Sequence, residues 1–243
     1  MCPIRIKGVS DNMQILNIAG YKFISLESLD SLHLFLRSLC QQYELKGTII
    51  LSPEGMNVNL AGMSSEVLSF IASLRLDERF ADMTFHETYS STIPFKRLKI
   101  KSKQEIITFR QKTIRPTEKK RAPSISPQVL KKWLDEKREI TLLDTRNTYE
   151  IEFGTFQAAT HLNLDHFVQF PSAANGIVKE KPIVMFCTGG IRCEKAALCL
   201  LEQGFPEVYQ LDGGILNYFA QVGGTHYQGG CFVFDERGTL QAE

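Results

Sequence analysis

The sequence predicts two domains, an α+β domain followed by an α/β domain with a parallel sheet. The chain has 243 residues, and domains of about 100–150 residues are the most common. Its first half alternates strand-like and helix-like apolar spacing, and βαβ units follow from about residue 125. Hydrophobic residues make up 43% of the chain and charged residues 23%. This composition is typical of a globular protein and excludes a fully disordered or fibrous chain.

The location of the protein is predicted from the segments that the sequence lacks. No apolar run reaches the ~20 residues of a membrane helix, and residues 1–5 do not have the form of a signal peptide. We therefore expect no membrane association and a cytoplasmic location. Six cysteines are too few for a disulfide scaffold in a chain of this length, so free thiols are expected. The oligomeric state is left open.

The N-terminal domain is predicted over residues 1–109. Strands are expected at 15–25, 45–51, 56–60, 83–89 and 98–109, and helices at 29–39 and 64–74. Ser64 and Ser65 are expected to cap the second helix, whose predicted apolar face consists of Val67, Leu68, Ile71 and Leu74. The order β-α-β-β-α-β, with one added strand, is the ferredoxin-like arrangement.

Positive charge is concentrated between Lys96 and Arg121. This stretch holds eleven basic and two acidic residues, a net charge of +9, although the whole chain carries only +1. Such a segment is typical of a surface that meets phosphates, and a solvated linker with an incidental charge run is the alternative. The candidate RNA-binding residues, chosen by charge density, are Lys99, Lys101, Lys103, Arg115, Lys119, Lys120 and Arg121. Of these, Lys99, Lys101 and Lys103 would share one face of a strand.

The second half of the chain is predicted to contain a linker, an α/β domain and an extension. Residues 110–124 include Pro116 and Pro123 without an apolar period, which indicates a basic linker. Residues 125–224 contain strand-like runs at 141–144, 182–186 and 208–211 and helical runs after Ser126-Pro127 and at 196–201. Strands that are apolar on both faces and alternate with helices predict a parallel sheet. Residues 225–243 form the extension.

The segment that carries chemistry runs from Cys187 to Cys193. A buried strand is expected to end at Cys187, and a loop of Thr188, Gly189 and Gly190 leads into a helix that begins with Ile191, Arg192 and Cys193. Ligands bind at the carboxyl ends of parallel strands. The glycine loop, the helix N-terminus and the charge of Arg192 each stabilise a thiolate. Cys187 is therefore the predicted nucleophile, and a buried structural cysteine is the alternative.

This loop resembles the active site of rhodaneses. Four residues separate Cys187 from Arg192, which is a tighter loop than the phosphate-binding loop of cysteine phosphatases. Asp144-Thr145-Arg146, Tyr149-Glu150 and Gly213-Gly214 also resemble rhodanese motifs, but Thr155 stands where that family usually has His. The resemblance implies a rhodanese-like domain and a Cys187 persulfide. It also implies that Asp144 and Arg146 support the fold.

A closer resemblance covers nearly the whole chain. The string Cys-Thr-Gly-Gly-Ile-Arg-Cys-Glu-Lys-Ala over 187–196, together with residues 53–57 and 232–237, resembles the oxygen-dependent tRNA uridine hydroxylases, a bacterial family that contains a rhodanese domain. Membership implies hydroxylation of C5 of the wobble uridine in tRNA, with molecular oxygen as co-substrate. The basic segment is compatible with tRNA as the partner.

No cofactor or metal site is recognisable in the sequence. It contains no Cys-x-x-Cys pair, no His-Glu-x-x-His, no dinucleotide fingerprint and no Walker loop. Many members of the resembling family continue past residues 232–237 into a cysteine-rich tail, whereas only Cys231 is found in that region here. We therefore expect no metal. Cys193 is given an accessory role in the loop, with a redox role as the alternative.

The sequence is also compatible with two other functions. A sulfurtransferase that passes sulfane sulfur through a Cys187 persulfide would account for the loop but not for the basic segment. A non-enzymatic binding module is a third possibility, but it does not explain an intact cysteine loop.

Overall fold

The computed structural model describes residues 14–117 and 121–242. The chain divides into two compact units, one up to Ile106 and one from Ile107 onward. Lys119 and Lys120 lie outside the described residues. No helix within the described ranges is both long and apolar enough to cross a bilayer.

The first unit has a five-stranded sheet with two helices. The strands are β1 (Ile15–Phe23), β2 (Lys46–Ser52), β3 (Gly55–Met63), β4 (His86–Ser90) and β5 (Leu98–Ser102), and the helices are α1 (Leu29–Gln42) and α2 (Ser64–Leu74). The strand order is β4-β1-β3-β2-β5. β5 runs parallel to β2, and the other neighbours are antiparallel. The predicted ferredoxin-like arrangement is thus confirmed, with β5 as the added strand.

Two details of α2 differ from the sequence prediction. The cap position is occupied by Met63, and no side chain caps the helix. The Ser64 hydroxyl instead donates a hydrogen bond of 2.6 Å to the carbonyl of Gln14. Leu68 is exposed, and Phe70 takes its place in the core. Phe70 was missed because the helix starts immediately after β3, which sets the direction of its buried face.

The turn between β2 and β3 shows why the motif at 53–57 has its sequence. Gly55 has a φ of +147°, and a Cβ there would lie 2.1 Å from the carbonyl oxygen of Lys22. The Glu54 carboxylate accepts a hydrogen bond of 2.8 Å from the amide of Ile106. Within the first unit, this motif therefore secures the backbone.

The second unit is built on a parallel sheet. Its strands are β6 (Ser124–Ile125), β7 (Thr141–Asp144), β9 (Thr160–His161), β10 (Ile183–Phe186) and β11 (Val208–Leu211), in the order β6-β11-β10-β7-β9. All of these pairs are parallel, as predicted. The helices are α3 (Pro127–Asp135), α4 (Thr148–Ile151), α5 (Phe170–Ala173), α6 (Ile191–Glu202) and α7 (Gly214–Val222), and two small ribbons pair β8 (Gly154–Phe156) with β12 (Tyr227–Gly229) and β13 (Cys231–Phe232) with β14 (Thr239–Leu240).

The central strand β10 has a core on each face. Ile183 and Met185 belong to one apolar cluster, whereas Val184 and Phe186 belong to the other. This alternation is the period of two expected for a strand covered on both faces. Ile114 and Ala122, from the predicted linker, are buried in the first cluster. Cys231, from the predicted extension, is buried in the second. Both segments therefore contribute to the cores of this unit.

Candidate active site

Cys187 follows β10 directly and stands at the carboxyl end of the central strand of the parallel sheet. Its exposed fraction is 1%. The chain must leave the sheet here and enter α6 within a few residues, which brings the cysteine beneath a tight loop. Within this loop and the first turn of α6, the half-buried residues are Thr188, Gly189 and Ile191.

The loop directs backbone amides towards the sulfur. Gly190 has a φ of +96°, a conformation that suits glycine, and its N–H donates a hydrogen bond of 3.1 Å to Cys187 Sγ. α6 begins at the next residue and is twelve residues long. Its positive N-terminal end therefore lies beside the sulfur.

The N-terminus of α7 supports the loop from its other side. The amide of Ile215 donates a hydrogen bond to the Cys187 carbonyl (2.9 Å), and the amide of Leu216 donates one to the Thr188 carbonyl (3.0 Å). Gly214 has a φ of +64°, and a Cβ there would lie 2.4 Å from the Cys187 carbonyl oxygen. Glycine is thus required where α7 and the loop meet, which explains the Gly213-Gly214 motif.

Arg192 is held by Glu150, which the sequence prediction placed in the Tyr149-Glu150 motif but not among the site residues. Its guanidinium binds Glu150, with Nη1 2.5 Å from Oε2 and Nη2 2.7 Å from Oε1. Both side chains are buried. Burial alone would lower the pKa of Arg192, but the bonds to Glu150 raise it above its usual value, so the arginine stays charged. The Tyr149-Glu150 motif was the available signal in the sequence, and Glu150 also accepts a hydrogen bond of 3.0 Å from the Asn147 amide at the start of α4.

The surroundings of Cys187 favour its thiolate. Burial raises its pKa, but a hydrogen bond from Cys193, the charge of Arg192 and the backbone amides of Arg192 and Gly190 outweigh this effect and lower the pKa to about 6. A thiolate is the nucleophilic form of cysteine. The described geometry therefore favours the thiolate form of Cys187 at neutral pH.

The surroundings of Cys193 favour its neutral thiol form. Burial and the neighbouring Cys187 raise its pKa well above the ordinary value, so it remains a thiol. Its sulfur lies 3.7 Å from Oγ1 of Thr145, whose hydroxyl donates to the Phe186 carbonyl at 3.0 Å. A neutral thiol fixed in this position can donate a hydrogen bond to Cys187.

Asp144 and Arg146 form a buried ion pair, with Arg146 Nη2 2.6 Å from Asp144 Oδ2. Arg146 also donates to the carbonyl of Gly154 at 2.7 Å. Thr155 donates its hydroxyl to Asp144 at 2.8 Å. These contacts connect the end of β7 to β8.

The candidate RNA-binding residues fall in both units. Lys99 and Lys101 are exposed on β5 and alternate with the buried Ile100, and the exposed Lys103 follows the end of the strand. Arg115 and Arg121 belong to the second unit. Arg121 forms an ion pair of 2.7 Å with Glu194, so its charge is partly compensated. Within 14–117 and 121–242, no group of three His, Cys, Asp or Glu residues is arranged to hold a metal ion.

Two family models match this chain. A UPF0176 acylphosphatase-like domain matches residues 15–106, and a rhodanese-like domain matches residues 126–221. Together with the fold and the cysteine loop, these matches define a rhodanese-domain protein with an acylphosphatase-like N-terminal domain.

Relatives that match nearly the whole chain identify the family. A tRNA uridine(34) hydroxylase from Cupriavidus pinatubonensis is 50% identical, with 94% of this chain and 83% of that protein aligned. The proteins of the same name from Ralstonia nicotianae (48% identity, 95% and 84%) and Thiobacillus denitrificans (45% identity, 95% and 96%) are also similar. The chain belongs to the tRNA uridine(34) hydroxylase family, which confirms the resemblance seen in the sequence.

Proposed function

We propose that this protein hydroxylates C5 of the wobble uridine in tRNA, with molecular oxygen as co-substrate and Cys187 as the catalytic nucleophile. The observation that carries the proposal is the thiolate-stabilising loop at the end of β10, in a chain of this family. tRNA is then both substrate and partner, and the cytoplasm is the location where this substrate is found.

The chemistry assigned to Cys187 begins with addition to the base. Sγ forms a bond to C6 of uridine, and the π electrons of the C5–C6 bond move onto C5 and O4. The electron-rich C5 bonds to one atom of dioxygen and, after uptake of a proton, becomes a hydroperoxide. Two thiols reduce it to the alcohol, which releases water and a disulfide. Loss of the C5 proton and departure of the Cys187 thiolate then give 5-hydroxyuridine.

Three groups of the protein assist these reaction steps. The amide of Gly190 and the charge of Arg192 stabilise the thiolate before attack and again when it leaves. The thiol of Cys193 donates a hydrogen bond to the same sulfur. Because Cys187 is only 1% exposed, the residues that bury Sγ must move before the base can reach it.

The test is nucleoside mass spectrometry of tRNA from a strain that lacks wobble-uridine hydroxylation. The strain receives the wild type, Cys187→Ala or, as a matched control in α6, Cys199→Ala. We expect 5-hydroxyuridine or its derivatives to return with the wild type and with Cys199→Ala. If Cys187→Ala also restores 5-hydroxyuridine, the proposed role of the thiolate is overturned. If soluble wild-type protein does not restore it, the hydroxylase proposal is overturned.

Sulfur transfer is the second candidate, and the same low-pKa cysteine supports it. The Cys187 thiolate would take the outer sulfur of thiosulfate, release sulfite and hold a persulfide for an acceptor thiol. Incubation with thiosulfate, followed by mass spectrometry of the Cys187 peptide, detects the added sulfur atom. A persulfide that turns over, together with failure of the tRNA test, would assign this function instead.

A further inference from the structure

Four aromatic side chains form a continuous surface cluster in the second unit. Phe232 is its centre, with ring centroids 5.5 Å from Tyr149, 5.4 Å from Phe153 and 5.2 Å from Phe234. Tyr149 is 42% exposed, Phe153 49% and Phe234 63%. We refer to these four residues as the aromatic platform.

The aromatic platform is joined directly to the Cys187 loop. The hydroxyl of Thr188, the residue after Cys187, donates a hydrogen bond of 3.5 Å to the Phe232 carbonyl. Tyr149 precedes Glu150, which holds Arg192 through two short bonds. The exposed rings are therefore connected to both the loop and the arginine of the candidate active site.

Core packing does not account for this arrangement. A phenylalanine that is half exposed or more loses much of the free energy that burial provides. Clusters of exposed apolar side chains generally mark interaction sites. Here the rings lie beside the Cys187 loop, and their exposed surface is available to a flat ligand.

The occupant that best fits is an unstacked nucleobase. Enzymes that modify a base remove it from its stack, and single-stranded RNA is recognised by stacking of its bases on aromatic side chains. We propose that Tyr149, Phe153, Phe232 and Phe234 bind unstacked bases of the anticodon loop and so present the target uridine to Cys187. This inference rests on the proposed function and adds the surface that recognises its substrate.

The test uses the full chain with an RNA hairpin of the anticodon arm. Phe153→Ala and Phe234→Ala remove exposed rings without opening the core, and Phe35→Ala, a similarly exposed ring on α1, is the matched control. Affinity is measured by fluorescence anisotropy at several salt concentrations, and hydroxylation is measured by nucleoside mass spectrometry.

We expect each platform variant to bind the hairpin about fivefold to a hundredfold more weakly, the range for loss of one base stack. Since no charge changes, the dependence of log affinity on log salt keeps its slope. Phe234→Trp should keep the affinity that Phe234→Ala loses, because a larger ring also stacks on a base. Phe35→Ala should bind the hairpin with wild-type affinity.

Several outcomes would contradict the inference. Wild-type affinity in both alanine variants, while the wild type binds and hydroxylates, would overturn the aromatic platform and leave the proposed function intact. Hairpin binding that is lost equally with Phe35→Ala would also overturn it. A wild-type dimer that Phe234→Ala dissociates, with RNA affinity unchanged, would assign the surface to self-association. If the wild type binds through the platform but does not hydroxylate, only the proposed function fails.

Discussion

The guanidinium of Arg192 and the carboxylate of Glu150 form a buried, doubly bonded ion pair, with N–O distances of 2.5 and 2.7 Å. The arginine at the head of α6 is thereby anchored to α4 and not left to turn towards solvent. Its charge still lowers the pKa of Cys187. The pair therefore fixes the position of a cation that favours the thiolate form of Cys187.

Replacement of Glu150 by Gln should be strongly destabilising. It removes the carboxylate that binds the buried guanidinium through two hydrogen bonds, and removal of one partner from a buried ion pair costs about 3–5 kcal/mol. Urea unfolding measures the loss, and the exposed Glu152→Gln is the control from the same segment. A Glu150→Gln variant as stable as this control would show that the pair contributes nothing to the fold.

Cys193→Ala should raise the pKa of Cys187. The variant lacks the thiol that donates to the sulfur, so the thiolate is less favoured. The pH dependence of alkylation, followed on the Cys187 peptide by mass spectrometry, should show a midpoint near pH 6 for the wild type and a higher one for the variant. Cys199→Ala, in the same helix, should keep the wild-type midpoint. An unchanged midpoint in Cys193→Ala would remove the accessory role of that thiol.

The lowered pKa also predicts how stability depends on pH. The pKa of Cys187 falls from the ordinary 9.0 to about 6 on folding, so between these values the unfolded chain binds more protons at this site. The stabilisation is present above pH 9 and is lost as the pH falls through 6. Relative to Cys187→Ser, the wild type should gain unfolding free energy from pH 6 to 9. If the difference in unfolding free energy between the wild type and Cys187→Ser does not change from pH 6 to 9, the lowered pKa is contradicted.

Gly214→Ala should displace the Cys187 loop. The added Cβ would approach the Cys187 carbonyl oxygen to 2.4 Å, so the loop or α7 must move. Gly238→Ala is the matched control, because Gly238 has a similar φ of +72° with nothing within 4 Å. The control should lose only the ~1–2 kcal/mol of a left-handed residue. Gly214→Ala should lose more and shift the alkylation midpoint of Cys187 upward; equal effects would show that the contact is unimportant.

The three exposed lysines of β5 and its end should contribute to tRNA affinity through charge. Replacing Lys99, Lys101 and Lys103 by Gln should weaken binding and reduce the slope of log affinity against log salt by about 0.7–0.9 for each phosphate that the protein no longer neutralises. The control replaces Lys131, Lys132 and Lys181, which already pair with acidic side chains. A triple variant that keeps the wild-type slope would exclude these lysines from the RNA surface.

Local patterns in the sequence predicted the bounds of two strands of the second unit and pointed to the Cys187 loop, whereas the strand expected at 98–109 ends at Ser102. Strands 141–144 and 208–211 were predicted with the bounds that the structure has, because short apolar runs between turn residues have few alternatives. Cys187 and its loop were predicted because a strand end, two glycines and a helix start are all local features. The buried face of α2 was predicted incorrectly at Leu68, since helical spacing alone does not say how the helix meets its sheet.

The relationships that complete the site join residues far apart in the chain. Glu150 meets Arg192 across 42 positions and Thr188 meets Phe232 across 44, while Gly214 takes its place against the Cys187 carbonyl. Spacing along a chain carries no signal for such contacts, because they depend on how parallel strands bring loops to one edge of the sheet. The candidate cysteine loop could therefore be inferred from the residues alone, whereas the partner that holds the arginine and the clustering of Phe232 with Tyr149 and Phe153 depend on tertiary packing.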